Sequence, residues 1–574
     1  MPRLTPYILL SISALLTAGC AVSPKQSALP ALQGEPSQQA ASVPAAEFTP
    51  EVLYQLLVAE LAGQRGQNAV AMKSYLAAAR LSGDAGVAAR AARFAVFSRH
   101  LREALEAAEL WVALAPSDPQ ARYTLAPLLL AFGRAPEAAL HYEKFLDLSA
   151  ARPGQGFAMI ANQLSRDRNA VAAMSVMDQL LASRKDNPWA LLAHSRLAML
   201  QGKLEMALAS VDQALSLKPH WAPAVVRRAR VLSLQGNKEG ALAYLEQARD
   251  GELADDLSVG LSYARLLSEN RQLDKARAEF EALAEREPRN VEAVYAAGIL
   301  ALQLDDLAKA EQRLKQVLAL RQRGLEASYY LGRVYELKKD TKRALNFYLS
   351  VRHGELYFNA QVRAASLMAE TGDLEEALDH LRVIRVENDQ EQAQIWLVEG
   401  ELLRKAGKYS EALALYTEKL ELRPDDTALR YARALLAEKL NKLTLAEQDL
   451  RAIIEREPSN AQALNALGYT LADRTDRYEE ALVLIERALK VEPEDAAIID
   501  SLGWVQYRMG NHQKAVEYLR RALELIEDPE IAAHLGEVLW KMGKRKAALE
   551  LWEEFLQKFP KHRALQDTMK RFGL

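Results

Sequence analysis

From residue 48 onward, apolar residues recur every three or four positions in successive stretches separated by short polar breaks, and none alternates with the two-residue period of a half-buried strand. The pattern predicts an all-α chain of amphipathic helices. A longer order is laid over it: a small residue, an apolar or aromatic residue four later, a small or apolar one three after that, and often a proline. Ala207, Val211, Ala214 and Pro219 follow this order, as do Ala276, Phe280, Leu283 and Pro288. Ala412, Tyr416 and Pro424 follow it with Lys419 at the third place. The first small residue recurs as Ala71, Ala104, Ala138, Ala173, Ala207, Ala241, Ala276, Ala310, Ala344, Ala377, Ala412, Ala446, Ala481, Ala515 and Ala548, at spacings of 33 to 35 residues.

A second small residue stands twelve positions earlier, as Gly298, Gly332, Gly400, Gly503 and Gly536. Glycine inside a helix costs about 1 kcal/mol against alanine, so its recurrence needs a packing reason. Small groups at both places let two antiparallel helices approach closely, and the large residue four after the anchor fills the groove between them. Turn formers lie between the two, as Gly202-Lys203, Gly236-Asn237, Thr371-Gly372-Asp373, Gly407-Lys408 and Gly510-Asn511.

This period and these anchors resemble the tetratricopeptide family, whose repeat is a W-x2-L-G-x2-Y half followed by an A-x3-F half. Leu331-Gly332 with Tyr335, Ala344 and Tyr348 is the best local match, and Leu502-Gly503 with Ala515 and Leu519 a second. The resemblance covers roughly residues 53 to 560 and implies a solenoid, a right-handed superhelix of about 14–15 helix pairs whose first helices line a concave wall. Residues 48–190 are expected to hold divergent repeats, 191–560 regular ones, and 561–574 a terminal extension or cap. The worst match is 149–190, where Arg166-Asp167-Arg168-Asn169 and Arg184-Lys185-Asp186-Asn187 blur the turns; an irregular pair is expected there.

With the small residue of the first helix as position eight, position nine reads Arg196, Arg230, Arg265, Ile299 and Arg333 in five consecutive pairs. Guanidiniums so placed offer fork donors to carbonyls, carboxylates or a chain terminus. The competing reading pairs them with acids such as Glu269 and Glu336. The same register puts Tyr431, Tyr469, Trp504, Tyr507 and Trp540 on or near the wall, as candidate partner anchors or as interhelix packing. Trp111, Trp552 and Phe555 fall in second helices, in core positions.

The amino terminus changes the picture from a plain scaffold to an anchored one. Arg3, an apolar run from Tyr7 to Leu16, and small residues before Cys20 have the form of a secretory signal, too short to span a bilayer as a conventional helix. Leu16-Thr17-Ala18-Gly19-Cys20 resembles the lipobox of bacterial lipoproteins. The resemblance implies cleavage after residue 19, lipidation of Cys20, and, with Ala21 in place of a retention aspartate, sorting to the outer membrane with a periplasmic body. Residues 20–47, rich in Ala, Pro, Gln and Ser, read as a lipidated cysteine and disordered tether, able to reach roughly 90 Å when extended.

Composition narrows the chemistry. The chain's 574 residues are too many for a single core, and its net charge of -3 gives no reason to expect a nucleic-acid partner. Cys20 is the only cysteine, and none of the nine histidines sits in an H-x3-H pair, so no metal is expected. No phosphate-cradling glycine loop or strained nucleophile turn stands out, and Asp305-Asp306 and Asp425-Asp426 fall at helix breaks, where capping accounts for them. Neither a cofactor nor enzymatic activity is expected. Lipobox, tether and long repeat array together resemble the pseudomonad adaptor lipoproteins that bind and activate a periplasmic carboxyl-terminal processing protease. That resemblance implies delivery of substrates such as peptidoglycan cross-link hydrolases. An assembly scaffold for exopolysaccharide export, a pilus secretin or outer-membrane protein insertion uses similar parts, as does a peptidoglycan-synthase activator.

Overall fold

The computed structural model describes residues 49–149 and 153–574, so Cys20 and the expected tether lie outside the described residues. Those residues form helices and turns with no strand among them, in two compact units divided between Asp306 and Leu307. The first unit holds α1 (Pro50–Gln64), α2 (Asn68–Ser82), α3 (Ala85–Phe97), α4 (Leu101–Leu114), α5 (Pro119–Ala131), α6 (Ala135–Leu148), α7 (Pro153–Leu164) and α8 (Ala170–Ala182). It continues with α9 (Pro188–Leu200), α10 (Leu204–Leu217), α11 (Ala222–Leu234), α12 (Lys238–Arg249), α13 (Leu257–Glu269), α14 (Leu273–Arg286) and α15 (Val291–Gln303). The second unit begins with α16 (Leu307–Ala319), α17 (Gly324–Leu337), α18 (Thr341–Ser350), α19 (Tyr357–Glu370), α20 (Leu374–Val383), α21 (Asp389–Lys405), α22 (Tyr409–Leu422) and α23 (Thr427–Lys439). It ends with α24 (Leu443–Arg456), α25 (Ala461–Arg474), α26 (Tyr478–Val491), α27 (Ala496–Arg508), α28 (His512–Leu525), α29 (Pro529–Lys541), α30 (Arg545–Lys558) and α31 (Arg563–Arg571).

Odd-numbered helices are the first helices of pairs. Many open on an aspartate or asparagine whose side chain accepts from the free backbone N–H groups of the first turn: Asp118, Asn187, Asp256, Asn290, Asn460 and Asp528 do so. Asp426 does the same, accepting from Leu429 N at 3.0 Å, as a capping role requires. Most first helices end in a tight turn whose residue after the cap is left-handed; α25 instead ends on extended Thr475. Gly202 (φ 73°) lets Lys203 N reach Ala198 O at 2.9 Å. Arg99, Arg271, Lys339 and Asn441 hold the same conformation without being glycine.

The core follows from the period. All fifteen anchor alanines of the second helices have 0% exposure. Opposite them, a Cβ on Gly332 would lie 2.6 Å from the Tyr348 ring, and one on Gly503 would lie 2.6 Å from Leu519. Gly400 and Gly536 meet Tyr416 and Trp552 in the same way. In each case the large residue is the one four after the anchor, so glycine in the first helix is the space that an aromatic or leucine in the second occupies.

The pair α7/α8 departs from this geometry, and α8 packs chiefly on α6 while α7 lies on α9. Gly154 lies flat against the Trp189 ring, where a Cβ would come within 2.7 Å. At the far end α31 covers the last pair, with Leu565 buried and Phe572 within 5.7 Å of both Trp540 and Trp552. Its outer face carries Arg563, Asp567 and Lys570, a polar end to the stack.

Candidate protein-binding wall

Successive first helices bring one register position side by side. In the first unit Arg196, Arg230 and Arg265 each follow a buried small residue, Ser195, Ala229 and Ala264, on α9, α11 and α13. One turn before them stand half-buried Leu192, Val226 and Leu261, so an apolar row runs beside the cationic one.

The arginines are not equivalent. Arg230 Nη1 donates to both oxygens of Glu269, at 3.0 and 3.1 Å, so the pair joins α11 to α13. Arg265 pairs with Glu292 of α15. Arg196 has no ion pair among the described residues. These pairs are partly exposed, where each is worth about 0–1 kcal/mol, so a partner carboxylate competes with them at little cost.

Arg333 belongs to the second unit, on α17, and also lacks an ion pair among the described residues. Its expected partner Glu336 is engaged elsewhere: it accepts from Arg363 Nη1 at 2.5 Å and from the Tyr348 hydroxyl at 2.6 Å. Ion pairs here reach forward to the next first helix, 27 residues on, and Arg363 takes the carboxylate from there.

The five aromatic residues divide. Tyr431 and Tyr469 are partly exposed, and burial raises both phenols above their ordinary range. Tyr507 donates to Glu537 Oε1 at 3.2 Å, and burial first, then the Glu537 charge, push its phenol to about 12. Trp540 is half-buried and takes the Arg545 guanidinium over its ring at 5.3 Å. Trp504 is 5% exposed, stacked on His534 at 4.3 Å and donating to Asp473 at 3.2 Å. Both ring and N–H are occupied, so Trp504 packs between repeats instead of facing a partner.

Sequence reasoning missed the carboxylates threaded through these rings. Asp500 faces His534 Nδ1 with both oxygens at 3.0 Å, and Glu537, 7% exposed, also accepts from Arg571 at 2.8 Å. Asp449 is 1% exposed and accepts from Arg433 Nε and Nη2 at 2.8 and 2.7 Å and from Arg430 at 3.2 Å. In each case the partners stand 16 to 34 residues apart, beyond what a single-helix pattern reveals. Among the described residues no group of His, Cys, Asp and Glu is placed to hold a metal, and no helix is long and apolar enough to cross a membrane. The surface therefore offers rings, guanidiniums and carboxylates in register along helices.

Models of the tetratricopeptide repeat match residues 263–312, 295–354, 362–427, 397–461 and 431–484, another matches 459–528, and a third 534–562. The TPR repeat-containing protein PA4667 of Pseudomonas aeruginosa is 37% identical over 85% of this chain and 82% of its own length. This chain belongs to the tetratricopeptide-repeat family. It is also similar to the human protein O-mannosyl-transferase TMTC1, at 27% identity over 30% of the chain and 20% of that protein. Among solved structures it resembles yeast Tom70, at 17% identity, covering 74% of this chain and 95% of that one with a TM-score of 0.36. Tetratricopeptide arrays bind protein partners, and the wall described above belongs to such an array.

Proposed function

We propose that this protein is a non-enzymatic adaptor, lipidated at Cys20 and held at the outer membrane facing the periplasm. Its first-helix face binds a carboxyl-terminal processing protease and that protease's substrates, peptidoglycan cross-link hydrolases among them. The observation that carries the reading is the recurrence of Arg196, Arg230 and Arg265 in one register on three consecutive first helices, with an apolar row beside them. A chain terminus presents a carboxylate next to apolar side chains, and such a strip suits it. The anchor rests on Leu16-Thr17-Ala18-Gly19-Cys20, and the choice of protease on the resemblance of lipobox, tether and long array to adaptor lipoproteins.

A scaffold can accelerate proteolysis in two ways. Holding enzyme and substrate together raises effective concentration, and helps only substrates that bind the array. Stabilising a competent state of the protease also speeds a generic peptide. Purified protein with Cys20 replaced by alanine, mixed with the processing protease of its own organism, should increase cleavage of protein substrates while cleaving nothing alone. Absence of both binding and stimulation would remove the protease reading and favour an envelope-assembly partner.

A further inference from the structure

We propose that the edge carrying the first three intrapair turns of the first unit docks on an anionic lipid surface. The inference is independent of which protein the array binds. Helices α1 to α6 alternate in direction and pack in sequence, so the turns α1–α2, α3–α4 and α5–α6 lie along one edge. That edge exposes Leu61, Val70, Phe97, Leu101 and Phe132, with Phe97 81% accessible. Large aromatic side chains at solvated turns stabilise no core and mark a surface that inserts or docks.

Charge selects the occupant. Arg65, Arg99 and Arg102 stand among these apolar residues, exposed and with no ion pair among the described residues. Arg134, at the third turn, is held by Glu109 and Glu137 at 2.9 and 2.6 Å. Three free guanidiniums around protruding phenylalanine and leucine side chains match anionic headgroups above acyl chains: the cations stay at headgroup level while the apolar tips enter the boundary. Further along the same unit, the exposed apolar residues at this place are aliphatic or methionine: Val171, Leu200, Met206 and Leu234. None is aromatic, and there Lys203 is offset by Glu205 and Lys238 by Glu239, whereas Arg65, Arg99 and Arg102 have one adjacent acid between them, Glu103. The basic, aromatic character is confined to the end nearest the amino terminus. Docking there would set the first unit at a defined angle against the membrane.

Cys20 is the only cysteine, so in a Cys20→Ala background an introduced Ala131→Cys gives a single attachment point beside Phe132 in the full chain. An environment-sensitive fluorophore at residue 131 should shift to the blue and brighten at least twofold with phosphatidylglycerol vesicles, and change little with phosphatidylcholine vesicles. The same fluorophore at Lys546→Cys, an exposed intrapair position of the last pair, should not respond. Each cation near an anionic surface is worth about fivefold in binding, so Arg99→Glu with Arg102→Glu should lower vesicle affinity at least about 25-fold, with unchanged circular dichroism. An unresponsive residue 131, an equal response at 546, or unchanged affinity in the double reversal would each overturn the proposal. A residue 131 signal that responds to a protein partner and not to vesicles would do so as well.

Discussion

Replacing Gly332 with alanine sets two physical effects against each other with opposite signs. Helix propensity alone favours alanine by about 1 kcal/mol at an interior position of α17. Packing opposes it. The new methyl would lie 2.6, 2.7 and 3.0 Å from Cε1, Cδ1 and Cγ of Tyr348, a side chain with 0% exposure whose hydroxyl donates to Glu336 at 2.6 Å. Relieving that overlap means moving a ring fixed at both ends. Overpacking costs about 1–3 kcal/mol, and loosening a hydrogen bond to a charged acceptor adds about 1.5–3 if the bond is lost outright. The net expectation is destabilisation by about 1–2 kcal/mol, local to α17 and α18. Native-state hydrogen exchange over residues 325–350 reads it directly, as exchange about tenfold faster than in the wild type. Pairing Gly332→Ala with Tyr348→Leu should recover part of the loss, because in an earlier repeat Ala229 stands where Gly332 does and Leu245 where Tyr348 does, both buried, a cycle that isolates the contact. Slower exchange in Gly332→Ala, the sign propensity alone demands, would refute the packing account of the recurring glycines.

Three further perturbations have defined signs. Burial acts against a charged His534, but the Asp500 carboxylate in contact with it, with Glu530 and Glu537 beyond, raises its pKa above the ordinary value. Its stabilising contribution is therefore fully present below about pH 6.5, the unfolded value, and is lost as pH rises through the higher folded value; His534→Gln should flatten that loss in urea unfolding at successive pH. Lys339 is left-handed (φ 58°) where other repeats carry glycine, so Lys339→Gly should stabilise the α17–α18 turn by up to about 1 kcal/mol, seen as slower exchange there; faster exchange would mean the lysine side chain matters more than its backbone. Cys20→Ala should move the protein from the detergent to the aqueous phase on partitioning without altering its circular dichroism, and unchanged partitioning would reject the lipid anchor.

The repeat was legible because its strongest constraint is local. The anchor alanines and the glycines opposite them are set by one helix touching its neighbour, and a 34-residue period writes that contact into the chain fifteen times over. What the sequence hid is the contact between repeats. Nothing in α27 alone shows that Trp504 will be covered, since His534, the group that covers it, lies in the next first helix. Likewise Glu336 stands three residues after Arg333 on the same helix, yet Arg363 takes it from the next one. The division at Asp306 also escaped, since the spacing of anchors runs through it unchanged.

The central claim is that the first-helix face, and no catalytic residue, carries the protein's activity. Charge reversal of Arg196, Arg230, Arg265 and Arg333 together tests it: Arg196 and Arg333 carry no ion pair among the described residues, and loss of the Arg230–Glu269 and Arg265–Glu292 pairs costs about 0–1 kcal/mol each, small beside the stability of a repeat array. Partner binding, substrate binding and turnover should be measured side by side for wild type and the fourfold variant, with circular dichroism as the control of folding. The account predicts that client binding weakens at least tenfold and stimulated turnover falls with it while helicity is retained; unchanged binding and turnover in a folded variant would contradict it.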